Sequence, residues 1–206
     1  MYARSVTFQA RPETIDDGIA YVEAEGMPTL TALEGCTGVS MICERGFGRC
    51  IITSAWSTKE ARDYSEQVIA PQRVRGAEIF GAQASVDYWD IAVNHRHAPA
   101  GEGACVRCTW LSVDPARITD GIDTYRMTLL PALEELDGFC STNVMVDRAM
   151  GRAVSSTTFA NGNALAASRK DAQGLRSLIS WDVGATVTDI EEFDLALAHL
   201  HVPEMV

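Results

Sequence analysis

The sequence predicts an α+β fold made of two tandem βαββαβ repeats of the ferredoxin-like kind. Three observations carry this. The chain matches itself at a shift of 103 residues, each copy reads strand-helix-strand-strand-helix-strand, and the strand runs are apolar on both faces rather than cleanly alternating. Under the shift, Arg4 meets Arg107 and Pro12 meets Pro115, while Ile15, Asp17, Gly18 and Ile19 meet Ile118, Asp120, Gly121 and Ile122. Pro28, Leu30, Leu33 and Gly35 meet Pro131, Leu133, Leu136 and Gly138, and Arg45-x-x-Gly48-Arg49 meets Arg148-x-x-Gly151-Arg152. At a shift of 104, His95-x-His97-x-Pro99 meets His199-x-His201-x-Pro203. The matches are collinear, with one small indel. The expected repeats are residues 1–98 and 105–206, joined by a small-residue linker over 99–104.

Each element has a reason. Ser5 to Ala10 is rich in β-formers and stops at Pro12. Thr14 and Asp16 open a helix whose apolar residues Ile15, Ile19, Val22, Leu30 and Leu33 share one face. Ile118, Ile122, Tyr125, Leu129, Leu133 and Leu136 repeat it. Pro28 and Pro131 inside these helices predict a kink or a second segment, because proline removes a backbone donor. Gly35 and Gly138 predict the helix ends. A hairpin follows, with strands Val39 to Cys43 and Cys50 to Trp56, and Gly48 and Gly151 suit left-handed turn positions. Second helices are expected over 58–75 and 161–178, and last strands over 88–97 and 193–201. Both helices should cover one face of each sheet. The sister sheet is the natural cover for the other.

Composition narrows the function classes. The chain has 206 residues, 47% of them hydrophobic and 22% charged, which suits a folded globular protein. Its net charge of -11 speaks against a nucleic-acid partner, since phosphate binding works through Lys and Arg. No segment has the roughly 20 apolar residues of a membrane helix, and no signal sequence is visible, so a cytoplasmic location is expected. The six cysteines are Cys36, Cys43, Cys50, Cys105, Cys108 and Cys140. Reduced buried thiols are the expectation in the cytosol. Cys105-x-x-Cys108 has the spacing of a redox or zinc pair. It lies in an apolar strand run, with no helix start and no second pair, which speaks against that role.

The residues now in hand resemble the antibiotic-biosynthesis-monooxygenase-like proteins of the dimeric α+β barrel superfamily, once per repeat. The most specific stretch is Leu130-Pro131-Ala132-Leu133-x-x-Leu136-x-Gly138-Phe139, followed by Val146-Asp147-Arg148-x-x-Gly151-Arg152. Thr158-Phe159, Ala167-Ser168-Arg169 and Leu175-Arg176 complete it, and Ala55-Trp56-Ser57-Thr58 fills the same place in the first repeat. The resemblance implies a pseudo-dimeric α+β barrel closed within one chain, so either a monomer or a homodimer suits it. It also implies a pocket between each sheet and its own helices.

In that superfamily, cofactor-free oxygenases act on electron-rich phenols or anthrones, and the deprotonated substrate supplies the electrons. Such a pocket needs apolar walls and a few groups that stabilise an oxyanion. The candidate catalytic residues are Trp56, Tyr64 and Arg73 in the first repeat and Arg176 in the second, where Phe159 and Ala167 replace the aromatics. The first repeat keeps more polar or hydrogen-bonding aromatics, which favours its pocket. The competing reading makes Trp56 and Phe159 core aromatics and both arginines surface charges.

Haem-degrading members carry a helix His and a strand Asn. Here those positions hold Arg73-Val74 or Arg176-Ser177, and Thr7 or Trp110, so haem is disfavoured. No phosphate loop and no hydrolase elbow is present. The expectation is therefore a cofactor-independent monooxygenase-like protein acting on a small aromatic or polyketide-like molecule, with no bound cofactor. The alternative is a non-catalytic carrier with an almost wholly apolar pocket.

All four histidines, His95, His97, His199 and His201, fall in the repeated His-x-His. Residues i and i+2 share a strand face, so each pair could bind a metal or move a proton. The sequence identifies no third, carboxylate ligand. The plainer reading is two solvated strand ends in matching environments.

Overall fold

The computed structural model describes the backbone of residues 1–206 and every side chain except those of Ile179 and Trp181. The elements run in the predicted order. The first repeat holds β1 (Tyr2–Gln9), α1 (Ile15–Tyr21), α2 (Met27–Thr31), β2 (Cys36–Cys43), β3 (Arg49–Trp56), α3 (Lys59–Phe80) and β4 (Ala84–Arg96). The second holds β5 (Cys105–Ser112), α4 (Ile118–Thr124), α5 (Leu130–Glu134), β6 (Phe139–Asp147), β7 (Arg152–Phe159), α6 (Gly162–Ala167), α7 (Arg169–Val183) and β8 (Thr186–Leu200). The hydrogen-bonded strand order is β1-β3-β2-β8-β5-β7-β6-β4, and it closes as a barrel.

Compactness divides the chain into a first unit (Met1–Trp89 with Phe193–Val202) and a second (Asp90–Glu192 with Pro203–Val206). In the first unit β1 and β2 flank β3, from Tyr2↔Trp56 to Gln9↔Arg49 on one side and from Cys36↔Trp56 to Cys43↔Cys50 on the other. The outer edge of β2 takes the last part of β8, from Gly38↔Leu200 to Cys43↔Asp194. In the second unit β5 and β6 flank β7, and β6 takes the last part of β4, from Asp90↔Val146 to Arg96↔Ser141.

The predicted proline breaks are real and have a definite form. A π-helical turn, Val22–Gly26, separates α1 from α2, and Tyr125–Leu129 separates α4 from α5. Pro28 and Pro131 follow at the start of the next segment, where a missing N–H costs least. Gly35, Gly48, Gly138 and Gly151 all have positive φ, as the turn and helix-end readings require. A Cβ on Gly48 would lie 1.9 Å from the Ala10 carbonyl oxygen, so the turn also needs glycine for space.

Element ends differ from the sequence reading. α3 and α7 continue to Phe80 and Val183, ending at left-handed Gly81 and Gly184. The helix passes through Pro71 in the first copy and breaks at Ser168 in the second. β4 and β8 begin at Ala84 and Thr186, in stretches whose charged and aromatic residues mask the strand pattern.

The core of the first unit lies between the sheet and α1 and α3, with Val6, Phe8, Ile15, Met41 and Phe80 buried together. Phe8 and Phe80 stack with centroids 4.6 Å apart. In the second unit Leu111, Ile122, Tyr125, Leu129, Val146 and Val183 form the equivalent core.

Candidate functional site

Each unit holds a small cavity between its sheet and its own helices. In the first unit Arg4, Val6 and Phe8 alternate inward from β1, Ser54 comes from β3, and Ile69, Gln72, Arg73, Gly76 and Phe80 form one face of α3. The free space is about 50 Å³, enough for a few waters or the edge of a flat ring, and its walls are almost wholly apolar.

Among the few polar side chains in the lining, Arg4 is only 1% exposed. Arg4 Nη1 donates to Glu66 at 3.0 Å, and Arg73 Nη1 donates to the same oxygen at 3.1 Å while its Nη2 binds the other. Arg4 Nη2 is buried and has no partner, as is Gln72 Oε1. Burial pushes the Arg4 guanidinium below its ordinary range, and the Glu66 carboxylate opposes the shift. Glu66 is held below the usual carboxylate range by its hydrogen bond from Arg73.

The second-unit cavity is also about 50 Å³ and is lined by Arg107, Thr109, Tyr125, Ser155, Thr157 and Arg176 among apolar residues. Several of its polar groups are hydrogen-bonded within the unit. Tyr125 Oη lies 2.5 Å from Thr142 Oγ1 and 3.0 Å from Ser155 Oγ. Burial raises the Tyr125 phenol above its ordinary value, so it stays a neutral hydroxyl. Arg107 donates to Ser168 Oγ at 2.9 Å, to the Leu165 carbonyl at 2.7 Å and to Glu192. Burial, and then the Arg107 charge, lower Arg176.

The predicted site residues separate. Arg73 and Arg176 line the two cavities. Trp56 is fully buried, with Arg4 5.9 Å above its ring, and its Nε1 donates to Ser54 Oγ at 3.0 Å. It supports the site from beneath rather than lining it. Tyr64 must be corrected: it is 65% exposed and is not among the lining residues, because it lies on the solvent face of α3. The polarity expectation is corrected as well, since the hydroxyl-rich cavity belongs to the second repeat. Val22, Val39 and Ile52 stand where the second repeat has Tyr125, Thr142 and Ser155. Arg4 and Glu66 were missed as site residues. The available signal was an arginine at the same place in two otherwise apolar strands.

The histidine pairs do not share an environment, which corrects the expected symmetry. His95 has a side chain 16% exposed, with Nε2 2.7 Å from Glu134 Oε1 and Nδ1 2.5 Å from Glu204 Oε1. His97 Nδ1 lies 4.0 Å from the same Glu134 oxygen. His199 and His201 are exposed and face each other, Nε2 to Nε2, at 3.2 Å. The counterparts of Glu134 and Glu204 are Thr31 and Ala100, so the second pair has no equivalent carboxylates. Cys105 and Cys108, three apart on β5, point to opposite faces and cannot act as a pair.

No family profile matches the chain. It is 50% identical to the uncharacterised protein Rv2558 of Mycobacterium tuberculosis, strain H37Rv, over 100% of this chain and 88% of that protein. It is 47% identical to the uncharacterised protein Rv2557 of the same strain, over 100% of this chain and 92% of that protein. Among solved structures, a candidate monooxygenase from Lactobacillus acidophilus superposes with a TM-score of 0.70 at 12% identity, covering 97% of this chain and 96% of that one. An anthrone oxidase-like protein gives 0.67 at 12% identity, covering 97% and 93%. A haem-degrading enzyme from Listeria monocytogenes gives 0.54 at 8% identity, covering 95% and 99%. At these identities the superpositions establish the fold alone: the antibiotic-biosynthesis-monooxygenase-like α+β barrel.

Proposed function

Since the chain belongs to one family with Rv2557 and Rv2558 of Mycobacterium tuberculosis and has the monooxygenase-like fold, we propose that it binds a small, flat phenol or enol as its anion in the first-unit cavity and promotes cofactor-independent oxygenation there. The observation that carries the proposal is Arg4. A guanidinium that is 1% exposed, lines an apolar cavity and keeps one Nη2 without a partner is a ready counter-charge for an oxyanion.

The chemistry follows from that charge. In a low-dielectric cavity, a buried cation favours ionisation of a bound phenol. The resulting electron-rich anion can transfer electrons to O₂ directly. For an anthrone-type ring, the methylene becomes a carbonyl, one oxygen atom enters the product and the other leaves as water. All four electrons come from the substrate. Arg73 shares Glu66 with Arg4, which fixes one end of the Arg4 guanidinium while its buried Nη2 makes no hydrogen bond.

Oxygen uptake with anthrone-type and quinol substrates, measured after chelation, tests the reading. Arg4→Met should lower turnover at least tenfold, Arg4→Lys less, and Arg73→Ala should act through Arg4. Activity that disappears with chelator and returns with iron would overturn it. A carrier function is the second reading, favoured by two observations: the walls of the first-unit cavity are almost wholly apolar, as expected of a carrier, and no carboxylate or histidine is among the residues lining either cavity. Native mass spectrometry showing a retained ligand without oxygen uptake would select the carrier.

A further inference from the structure

We infer that His95, His97 and Glu134 form a binding site for a divalent transition-metal ion of the Zn²⁺ class, with Glu204 as the group that orients His95. The donor atoms of the three ligands all lie within 4.8 Å of one another. Tetrahedral coordination at zinc bond lengths needs donors about 3.3 Å apart. The 2.7 Å and 4.0 Å separations from Glu134 Oε1 to His95 Nε2 and His97 Nδ1 bracket that spacing. Small side-chain rotations would close it.

The two nitrogens of His95 have different partners. Glu204 Oε1 accepts the Arg96 backbone N–H at 3.1 Å and lies 2.5 Å from His95 Nδ1. That oxygen is an acceptor, so Nδ1 carries the proton. In the neutral ring this leaves Nε2 with a lone pair. Nε2 is buried and makes no hydrogen bond, although Glu134 Oε1 is 2.7 Å away. The oxygen therefore sits off the axis that a donated N–H would take. A proton or a metal ion relieves two acceptors held this close, and the off-axis oxygen favours the metal. A metal on the Nε2 axis would likewise hold a second ligand off that axis, which is the sense in which Glu134 Oε1 is displaced.

The surroundings suit a metal centre. A carboxylate on the far nitrogen of a ligating histidine fixes the tautomer and raises ligand basicity, and Glu204 is placed for this. The buried Phe139 ring lies near both imidazoles, stacked on His95 with centroids 6.4 Å apart and tilted against His97 at 6.0 Å, and screens one side from water. Two imidazoles and one carboxylate select zinc-like ions over Mg²⁺ or Ca²⁺, and three protein ligands leave a fourth position for water or a substrate oxygen. The sister pair supplies an internal control. His199 and His201 have two imidazoles within chelating distance but lack both carboxylates.

Metal-free protein titrated with Zn²⁺ against a chromogenic chelator, and with Co²⁺ by visible absorption, tests the inference without any enzymatic assay. The expected result is a single tight equivalent and the intense d–d bands of four-coordinate Co²⁺. His95→Ala/His97→Ala and Glu134→Gln should abolish both. Glu204→Gln should weaken binding about 10- to 100-fold, the usual effect of losing an orienting carboxylate. His199→Ala/His201→Ala should change neither. Zn²⁺ should also raise the melting temperature of the wild type but not of Glu134→Gln, whose own fold is verified by circular dichroism. Absence of a tight equivalent, equal loss in the two double-histidine variants, or loss confined to His199→Ala/His201→Ala would overturn it.

Discussion

At the scale of single residues, the buried arginines carry the most informative contrast. Arg4 depends on Glu66 for its charge partner, whereas Arg107 also donates to Ser168 and the Leu165 carbonyl. Glu66→Gln should therefore destabilise the protein by roughly 2–3 kcal/mol, below the figure for a fully enclosed pair because Glu66 is 34% exposed. Glu192→Gln should cost less, and urea unfolding of the two variants compares them. The pH dependence has a definite sign. Glu66 and Glu192 are both held below the ordinary carboxylate value in the fold. Their contribution is present above the unfolded value of about 4.3 and is lost as pH falls through the lower folded values. Melting curves from neutral to acid pH should show wild type losing stability there, with a shallower loss in Glu66→Gln. Little of this was legible in the sequence. Arg4 and Arg107 were visible as a repeated match, but nothing in a strand pattern tells whether a charge points into a cavity. Glu134 and Glu204 lie 70 residues apart in the sequence, and neither carries a local sign that it faces His95.

At the scale of elements, glycine positions and helix breaks were legible because they rest on backbone rules that act locally. Gly35, Gly48, Gly138 and Gly151 were placed correctly for that reason. Helix and strand ends were less legible. α3 continues through Pro71 because Phe80 anchors its last turn against Phe8, a contact between residues distant in sequence. The same contact separates the repeats. A Cβ on Gly18 would lie 1.9 Å from the Phe80 ring, while one on Gly121 would meet only Val183, at 3.7 Å. Gly18→Ala should destabilise by about 1–3 kcal/mol through overpacking. Gly121→Ala should be neutral or slightly stabilising, as Gly→Ala in a helix usually is. Thermal melting of the two variants checks the asymmetry.

At the scale of the whole molecule, the duplication made the fold legible, since two noisy copies read together give one clear pattern. It did not show where compactness would cut the chain. Residues Phe193–Val202 belong with the first unit, pairing with the edge of β2 over Gly38–Cys43. A fragment of residues 1–104 therefore leaves that edge open, and it should self-associate or aggregate, with solubility restored by co-expression of 105–206. Light scattering distinguishes these outcomes, and a stable monomeric 1–104 fragment would contradict the pairing. The charge partners of the two buried arginines have a related consequence. Glu66 sits on a helix, and its counterpart is Arg169. Glu192 sits on a strand, and its counterpart is Tyr88. A gene conversion that overwrote only the second helix of one copy with that of the other would leave one buried guanidinium facing two carboxylates or the other facing none. The two halves of the gene have thus become mutually incompatible donors, and recombination between them should be purged even where their backbones coincide.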